Sequence, residues 1–326
     1  MKRRTIIFLL LSILLLASCE LVQDQPPQGK VYGVFIGLDY RNTTFTNPAD
    51  EYGRLLPLKG TLNDAREMKT AFGHIAGLAK LEMDSYLMYQ EGDTKDQSTY
   101  EMITVGGTPI RSYASKANLA LLLDALTDTI KEEDLLILTY HGHGGEDVLF
   151  MAPESNDDYD IELKVTEKLL KELQPIKGRK LVILDSCESG MSVPASESSV
   201  SLVRSPSLSD WFDTYFSDKP YAIPPVTLFT ATAHTDSYEM GDDHIHGVFT
   251  LALLEALGGS HDEDDGFLMG TEIPAKHNGV ISVDSLYRYI KQHQKLPLRT
   301  TIYRPASMYQ HPMTNGGAMD FILFRL

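Results

Sequence analysis

The chain has 326 residues, of which 43% are hydrophobic, and it carries a formal net charge of -16. This length and composition suit one large α/β domain or two small ones, and they exclude a disordered or fibrous protein. The acidic balance argues against general nucleic-acid binding, which requires a basic surface.

The first residues have the pattern of a bacterial export signal. Three basic residues, at positions 2–4, precede an apolar run over 6–16 that is too short to span a bilayer and has signal-peptide flanks. The run ends in Leu-Ala-Ser-Cys, which resembles a lipobox with Cys19 as the acylated first residue of the mature protein. The alternative is an ordinary signal peptide with a chance cysteine.

The predicted organisation is a lipoprotein signal peptide over 1–18, a tether over 19–30 and one folded domain over 31–326. Acylation of Cys19 would hold the exported protein on a membrane of the bacterial cell envelope. The chain has only two cysteines, so lipidation of Cys19 leaves Cys187 without a disulfide partner. A lone cysteine in an exported protein is either an inert buried thiol or a reactive one.

Apolar patterning beyond the tether predicts strands that alternate with helices. Predicted strands cover 31–37, 81–89, 134–140, 181–184, 226–232 and 320–324, and predicted helices cover 62–79, 115–130, 165–173, 247–257 and 283–293. The apolar runs at 134–140 and 181–184 are typical of strands buried on both faces. The alternation predicts an α/β fold, a three-layer sandwich with a central, mostly parallel sheet and helices on both faces.

Two polar motifs follow these two buried strands, at the edge where parallel sheets form their sites. The first motif is His-Gly-His-Gly-Gly over 141–145, and the second is Asp-Ser-Cys-Glu-Ser-Gly over 185–190. A histidine and a cysteine on neighbouring strand ends can meet, so that the imidazole accepts the thiol proton. Backbone N–H groups near Gly144 and Cys187 are candidates for holding the developing oxyanion.

These motifs resemble the caspase-like cysteine peptidases of the caspase and metacaspase group, peptidase family C14, in a bacterial lipoprotein form. The segments at 60–65, 230–239 and 247–250 and the end of the chain resemble the same family. The resemblance implies a caspase-like fold in which His143 and Cys187 are catalytic and the substrate is a peptide or protein. The chain departs from the family pattern at Thr61, at Glu188 and at His141, where the family often has serine.

The resemblance also implies a binding pocket for the residue before the cleaved bond, the P1 residue. Acidic side chains at the positions of Asp64 and Asp185 bind a basic P1 residue in metacaspase-like members, and the family residue at the position of His141 helps to line the pocket. A carboxylate pair selects Arg or Lys by charge-assisted hydrogen bonds. The alternative for Asp64 is a carboxylate favoured by the start of a helix.

Cleavage within the chain and metal binding are further questions. The Ser/Pro-rich segment 191–220 contains Arg204, a candidate for self-cleavage by an enzyme that cuts after basic residues. His141 and His143 lack an obvious third metal ligand, so no metal is expected there. The acidic run at 261–265 does not match EF-hand spacing, although calcium stays open as a cofactor.

The rival functions are a catalytically silent binding protein at the cell surface and a metallohydrolase.

Overall fold

The structure is a computed structural model. It describes residues 27–41, 55–92, 96–145, 147–154, 160–187, 226–232, 237, 239–240, 245–262, 266–293, 312–314 and 321–326. The predicted signal peptide, Cys19 and Arg204 therefore lie outside the described residues. No helix in the described ranges is long and apolar enough to cross a membrane.

A six-stranded sheet organises the fold and confirms the predicted central, mostly parallel sheet. Its order is β16, β10, β9, β5, β1, β2, and only β16 at the edge is antiparallel. The strands are β1 (Val31–Leu38), β2 (Met83–Gln90), β5 (Leu135–His141), β9 (Arg179–Asp185), β10 (Val226–Thr230) and β16 (Met313–Thr314). Because β5 and β9 are adjacent and parallel, their carboxyl ends meet at one edge of the sheet.

Helices cover both faces of this sheet, as the three-layer prediction requires. The helices are α1 (Thr61–Leu78), α2 (Lys116–Thr129), α3 (Leu170–Leu173), α4 (Val248–Ala256) and α5 (Val283–His293). The core on one face contains residues of α1, α4 and α5, whereas the core on the other face contains residues of α2 and α3. Strand β5 serves both cores, since Leu136 and Leu138 pack on one side and Leu135 and Ile137 on the other.

The remaining strands form short ribbons outside the central sheet. They are β3 (Met102–Val105) with β4 (Thr108–Arg111), β6 (Gly144–Gly145) with β7 (Val148–Phe150) and β8 (Glu162–Lys164), β11 (Glu239–Met240) with β12 (His246–Gly247), β13 (Gly259–Asp262) with β14 (Gly266–Met269), and β15 (Val280–Ser282) with β17 (Ile322–Arg325). A 3-10 turn covers Gln97–Thr99.

Several element ends differ from the sequence expectation. The helix predicted over 165–173 begins as a π turn at Val165–Leu169 before α3. Helix α1 has no side-chain cap, because its N-cap residue is Gly60, and Thr61 Oγ1 donates to the Leu38 carbonyl. The strands β5 and β9 continue one residue beyond their predicted ends, so that His141 and Asp185 are paired strand residues and not loop residues.

Candidate active site

His143 and Cys187 line one cavity at the carboxyl edge of the central sheet. Each residue lies two positions beyond the end of its strand, β5 for His143 and β9 for Cys187. The cavity has a volume of about 90 Å³ and is lined by Leu58, Thr61, Asp64, Gly142, His143, Asp185, Cys187, Ser237, Glu239 and Gly247. Cys187 is half-buried, is not in a disulfide and lines the cavity, so its thiol is not locked in the core.

A backbone carbonyl fixes the orientation of the His143 ring. Nε2 of His143 lies 2.7 Å from the carbonyl oxygen of Leu56. A carbonyl can only accept, so Nε2 carries the proton of the neutral imidazole and Nδ1 is left as an acceptor. Burial lowers the pKa of His143, partly offset by the contact with Leu56 and the charge of Glu239. The neutral ring is therefore prepared to take a proton through Nδ1.

Two buried tyrosines hold the backbone on either side of this ring. The Tyr40 hydroxyl accepts a hydrogen bond from the His143 N–H at 3.0 Å and donates to the Phe150 carbonyl at 2.6 Å. The Tyr140 hydroxyl donates to the His143 carbonyl at 2.7 Å. The Tyr40 ring also packs against the imidazole, with ring centroids 4.7 Å apart. This network determines where the histidine projects from the strand end.

Glycine at position 142 is required by close packing. A Cβ there would lie 2.5 Å from the Tyr40 hydroxyl and 2.7 Å from the Tyr140 hydroxyl, closer than any carbon is tolerated. The glycines with positive φ in the described chain do not include those of this motif. Gly142 is therefore required by close packing against the two tyrosines and not by a positive φ.

Asp64 and Asp185 lie close together in the lining of the same cavity. Each offers an oxygen within 4.8 Å of the other, although they come from α1 and β9. Asp185 accepts hydrogen bonds from Ser237 Oγ and Thr250 Oγ1, both at 2.6 Å. Burial raises the pKa of Asp185, and burial together with the neighbouring Asp185 raises that of Asp64 well above its ordinary value. The pair therefore carries less than two full negative charges until a cation enters.

Asp64 lies in the first turn of α1 and bonds to residues of β12. Its Oδ1 lies 2.8 Å from Nδ1 of His246, and its Oδ2 accepts from the Gly247 N–H at 3.0 Å. These contacts hold the carboxylate beside Asp185, while its place in the first turn keeps the macrodipole interpretation as the alternative.

A third carboxylate, Glu239, lines the same cavity and was missed by sequence reasoning. It accepts hydrogen bonds from the N–H groups of Lys59 at 3.0 Å and Gly60 at 2.6 Å, at the start of α1. The segment at 230–239 resembled the family as a whole, and no feature of it separated Glu239 from its polar neighbours. Three acids thus surround a cavity that also contains the thiol and the imidazole.

His141 lies behind the cavity wall and not in it. The side chain is fully buried, and its Nδ1 lies 3.1 Å from Thr250 Oγ1, which in turn donates to Asp185. Its pKa is lowered to about 3, mainly by burial and also by the nearby His246. A neutral His141 therefore donates to Thr250 and helps to fix Asp185, and its predicted direct place in the P1 pocket becomes a supporting one.

The remaining sequence calls stay as predictions. Gly144 follows the cavity-lining His143 directly, which keeps its N–H and that of Cys187 as oxyanion candidates. Glu188 and residues 263–265 lie outside the described residues, so the calcium expectation gains nothing from the structure. The first residues of that acidic run belong to β13 and are not part of an open loop.

The central parallel sheet, with a thiol and an imidazole lining one cavity at its carboxyl edge, is that of a caspase-like α/β domain. The family model of the caspase domain, Peptidase_C14, matches residues 48–294, and the chain belongs to that family. The family is one of cysteine peptidases and includes catalytically inactive members. No curated relative matches the chain.

Two solved structures are similar in fold at low identity. One is a protein of Geobacter sulfurreducens, with 18% identity, a TM-score of 0.46 and coverage of 87% of this chain and 92% of that one. The other is caspase-1 from Spodoptera frugiperda, with 12% identity, a TM-score of 0.45 and coverage of 93% of this chain and 92% of that one.

Proposed function

We propose that the protein is a cysteine endopeptidase that cleaves peptide bonds after Arg or Lys, with Cys187 and His143 as its catalytic pair. The observation that carries this proposal is that the Cys187 thiol and the oriented His143 imidazole line the same cavity as three carboxylates, Asp64, Asp185 and Glu239. The thiol and imidazole supply the chemistry, and the carboxylates supply the selection of a cationic side chain.

The reaction follows from the orientation of the imidazole. Cys187 Sγ attacks the scissile carbonyl carbon while its proton passes to Nδ1 of His143. Nδ1 is the acceptor because Nε2 carries a hydrogen that is donated to the Leu56 carbonyl. The imidazolium then gives this proton to the leaving amine, and a thioester to Cys187 remains. Water attacks the thioester with His143 as the base, which releases the acid product and restores the thiol.

The pocket chemistry favours guanidinium or ammonium over a carboxylate. A buried cation stabilises the ionised forms of Asp64 and Asp185, so its entry offsets the cost that burial imposes on these acids. An acidic P1 residue would add a further negative charge among three carboxylates, which is unfavourable in a partly desolvated cavity.

The proposal extends to location. The lipobox-like ending at Cys19 supports a lipid-anchored protein of the bacterial cell envelope that acts on exported peptides or proteins. Incorporation of a radiolabelled fatty acid into wild type, and its loss in Cys19→Ser, would test the anchor independently of the activity.

The experiment that tests the activity is a panel of fluorogenic peptides with Arg, Lys, Asp or Asn at P1, assayed on wild type and on Cys187→Ala. We expect turnover of the Arg and Lys peptides by wild type alone. A folded wild type that cleaves none of them would favour the catalytically silent alternative, and a preference for Asp would contradict the proposed pocket.

A further inference from the structure

A second cluster of ionisable groups lies behind Asp64, outside the cavity. It consists of Glu67 on α1, His246 on β12 and His261 on β13, which are far apart in the sequence. Nε2 of His246 lies 3.0 Å from Nε2 of His261, Oε2 of Glu67 lies 2.9 Å from Nε2 of His261, and the same oxygen lies 3.4 Å from Nε2 of His246. The three side chains are buried or nearly so.

The three converging atoms can all present lone pairs to one point. An ionised Asp64 accepts the Nδ1 proton of His246 through Oδ1, so that a neutral His246 presents a lone pair at Nε2. An ionised Glu67 presents lone pairs at its oxygen, and a neutral His261 with its proton on Nδ1 presents one at Nε2. Two nitrogen atoms and a carboxylate oxygen that converge in this way are complementary to a cation.

The triangle of atoms matches three corners of a metal coordination tetrahedron. Ligands at 2.0–2.1 Å from a tetrahedral Zn²⁺ lie about 3.3 Å from one another, and the three observed separations range from 2.9 to 3.4 Å. Two histidines and one glutamate are a donor set that zinc uses with an open fourth position. Histidine and carboxylate donors together favour zinc over calcium, which prefers oxygen ligands alone.

Asp64 is placed to orient one of the histidines of this cluster, as carboxylates do in known zinc sites. Metal-binding histidines usually donate their second ring N–H to a carboxylate, which fixes the tautomer and the ring orientation. Asp64 does this for His246 and is itself fixed by the Gly247 N–H at 3.0 Å. Asp64 and Glu67 lie three residues apart on α1, so one face of this helix provides both the inner carboxylate and the outer one.

We propose that Glu67, His246 and His261 form a binding site for one zinc ion, with Asp64 as the residue that orients His246. The fourth coordination position faces solvent, because Glu67 and His261 retain 15% and 19% side-chain exposure whereas His246 retains 1%. The site includes neither His141 nor His143, the two histidines at which the sequence predicted no metal. It does not depend on peptidase activity.

The test uses the full mature chain in detergent, carrying Cys187→Ala so that the active-site thiol cannot bind metal. After treatment with a chelator and its removal, Zn²⁺ is titrated by calorimetry, and Co²⁺ is added separately to record the visible absorption of a tetrahedral site. We expect one ion per chain. Glu67→Gln and His261→Ala should weaken Zn²⁺ binding by more than about 100-fold, since even outer partners of ligands contribute 10–100-fold.

The experiment also includes two matched control variants and a variant of Asp64, the residue that orients His246. Glu272→Gln and His277→Ala change exposed residues of the same types and should leave the affinity unchanged. Asp64→Asn should weaken binding by about 10- to 100-fold. Circular dichroism monitors folding, and Glu67→Gln preserves side-chain volume if His261→Ala is unstable. Absence of Zn²⁺ binding to the Cys187→Ala chain, or binding that survives both ligand substitutions, would overturn the proposal.

Discussion

Asp185→Asn tests the proposed P1 pocket most directly, because it removes one charge with almost no change in shape. The Asp185 side chain is buried and accepts from Ser237 and from Thr250. An asparagine can keep the bonds from Thr250 through its amide oxygen and present its NH₂ group to the Ser237 hydroxyl oxygen. Burial raises the pKa of Asp185, so the neutral replacement should not destabilise the fold.

The expected loss follows from the hydrogen bonds that a P1 guanidinium would make. A hydrogen bond to a charged group contributes roughly 1.5–3 kcal/mol, and each 1.4 kcal/mol is about a tenfold change. The kcat/KM for an Arg peptide should therefore fall by about 10- to 100-fold. Citrulline has the shape of arginine without its charge, so the kcat/KM for a citrulline peptide should change by less than about threefold.

The assay compares the two peptides on wild type and Asp185→Asn across pH 6 to 8. Because burial raises the pKa of Asp64 and Asp185, any gain of charge on these acids is towards higher pH, so binding of the Arg peptide should not weaken relative to the citrulline peptide as pH rises. An equal loss on both peptides would show general damage to the active site. An unchanged Arg-to-citrulline ratio would refute the assignment of Asp185 to the pocket.

Three further predictions concern the dyad, a buried lysine and self-cleavage. Cys187→Ala and His143→Ala should each reduce turnover by roughly a thousandfold or more, with little change in thermal unfolding. His141→Ala should keep measurable turnover but lose about 2–4 kcal/mol of stability, since it removes a fully buried ring and its hydrogen bond to Thr250. An inactive but stable His141→Ala would contradict these roles. Lys180 is fully buried and its Nζ donates to the Ile176 carbonyl at 2.6 Å, while burial lowers its pKa to about 8. Above pH 8 the unfolded chain therefore binds more protons than the folded one. The free energy of unfolding should rise between pH 8 and 9.5 by about 1.5 kcal/mol relative to Lys180→Met. Denaturant unfolding that shows the same pH dependence in both chains would refute this. Self-cleavage after Arg204 should give two fragments by mass spectrometry in wild type but not in Cys187→Ala, and the same break in both proteins would indicate a contaminating protease.

Periodicity was sufficient for most of the fold because the central strands and helices have strong patterns. The apolar runs that became β5 and β9 are buried on both faces, and the parallel arrangement brings their ends together. The same reasoning placed His143 and Cys187 near each other, and both now line one cavity. Strand ends were less predictable, since Asp185 was expected just beyond β9 and proves to be its last residue.

The parts that sequence reasoning missed depend on the backbone or on distant pairs. Leu56 contributes a carbonyl to His143, and a carbonyl leaves no signature in the choice of side chain. His141 and His143 are two residues apart in the sequence, but β5 ends at His141, so strand alternation does not determine where His143 points. Glu67, His246 and His261 are separated by long stretches of chain, and only the folded helix and ribbons bring them together.

In the proposed peptidase, the short segment 56–60 before α1 would connect selection of substrate with the chemical step. Leu56 contributes the carbonyl bonded to the His143 imidazole, while Lys59 and Gly60 hold the carboxylate of Glu239. A cation that draws Glu239 towards the cavity would therefore pull on the same segment that orients His143. We therefore expect a peptide without a basic P1 side chain to be slow once bound as well as weakly bound, so that discrimination is expressed in kcat as much as in KM.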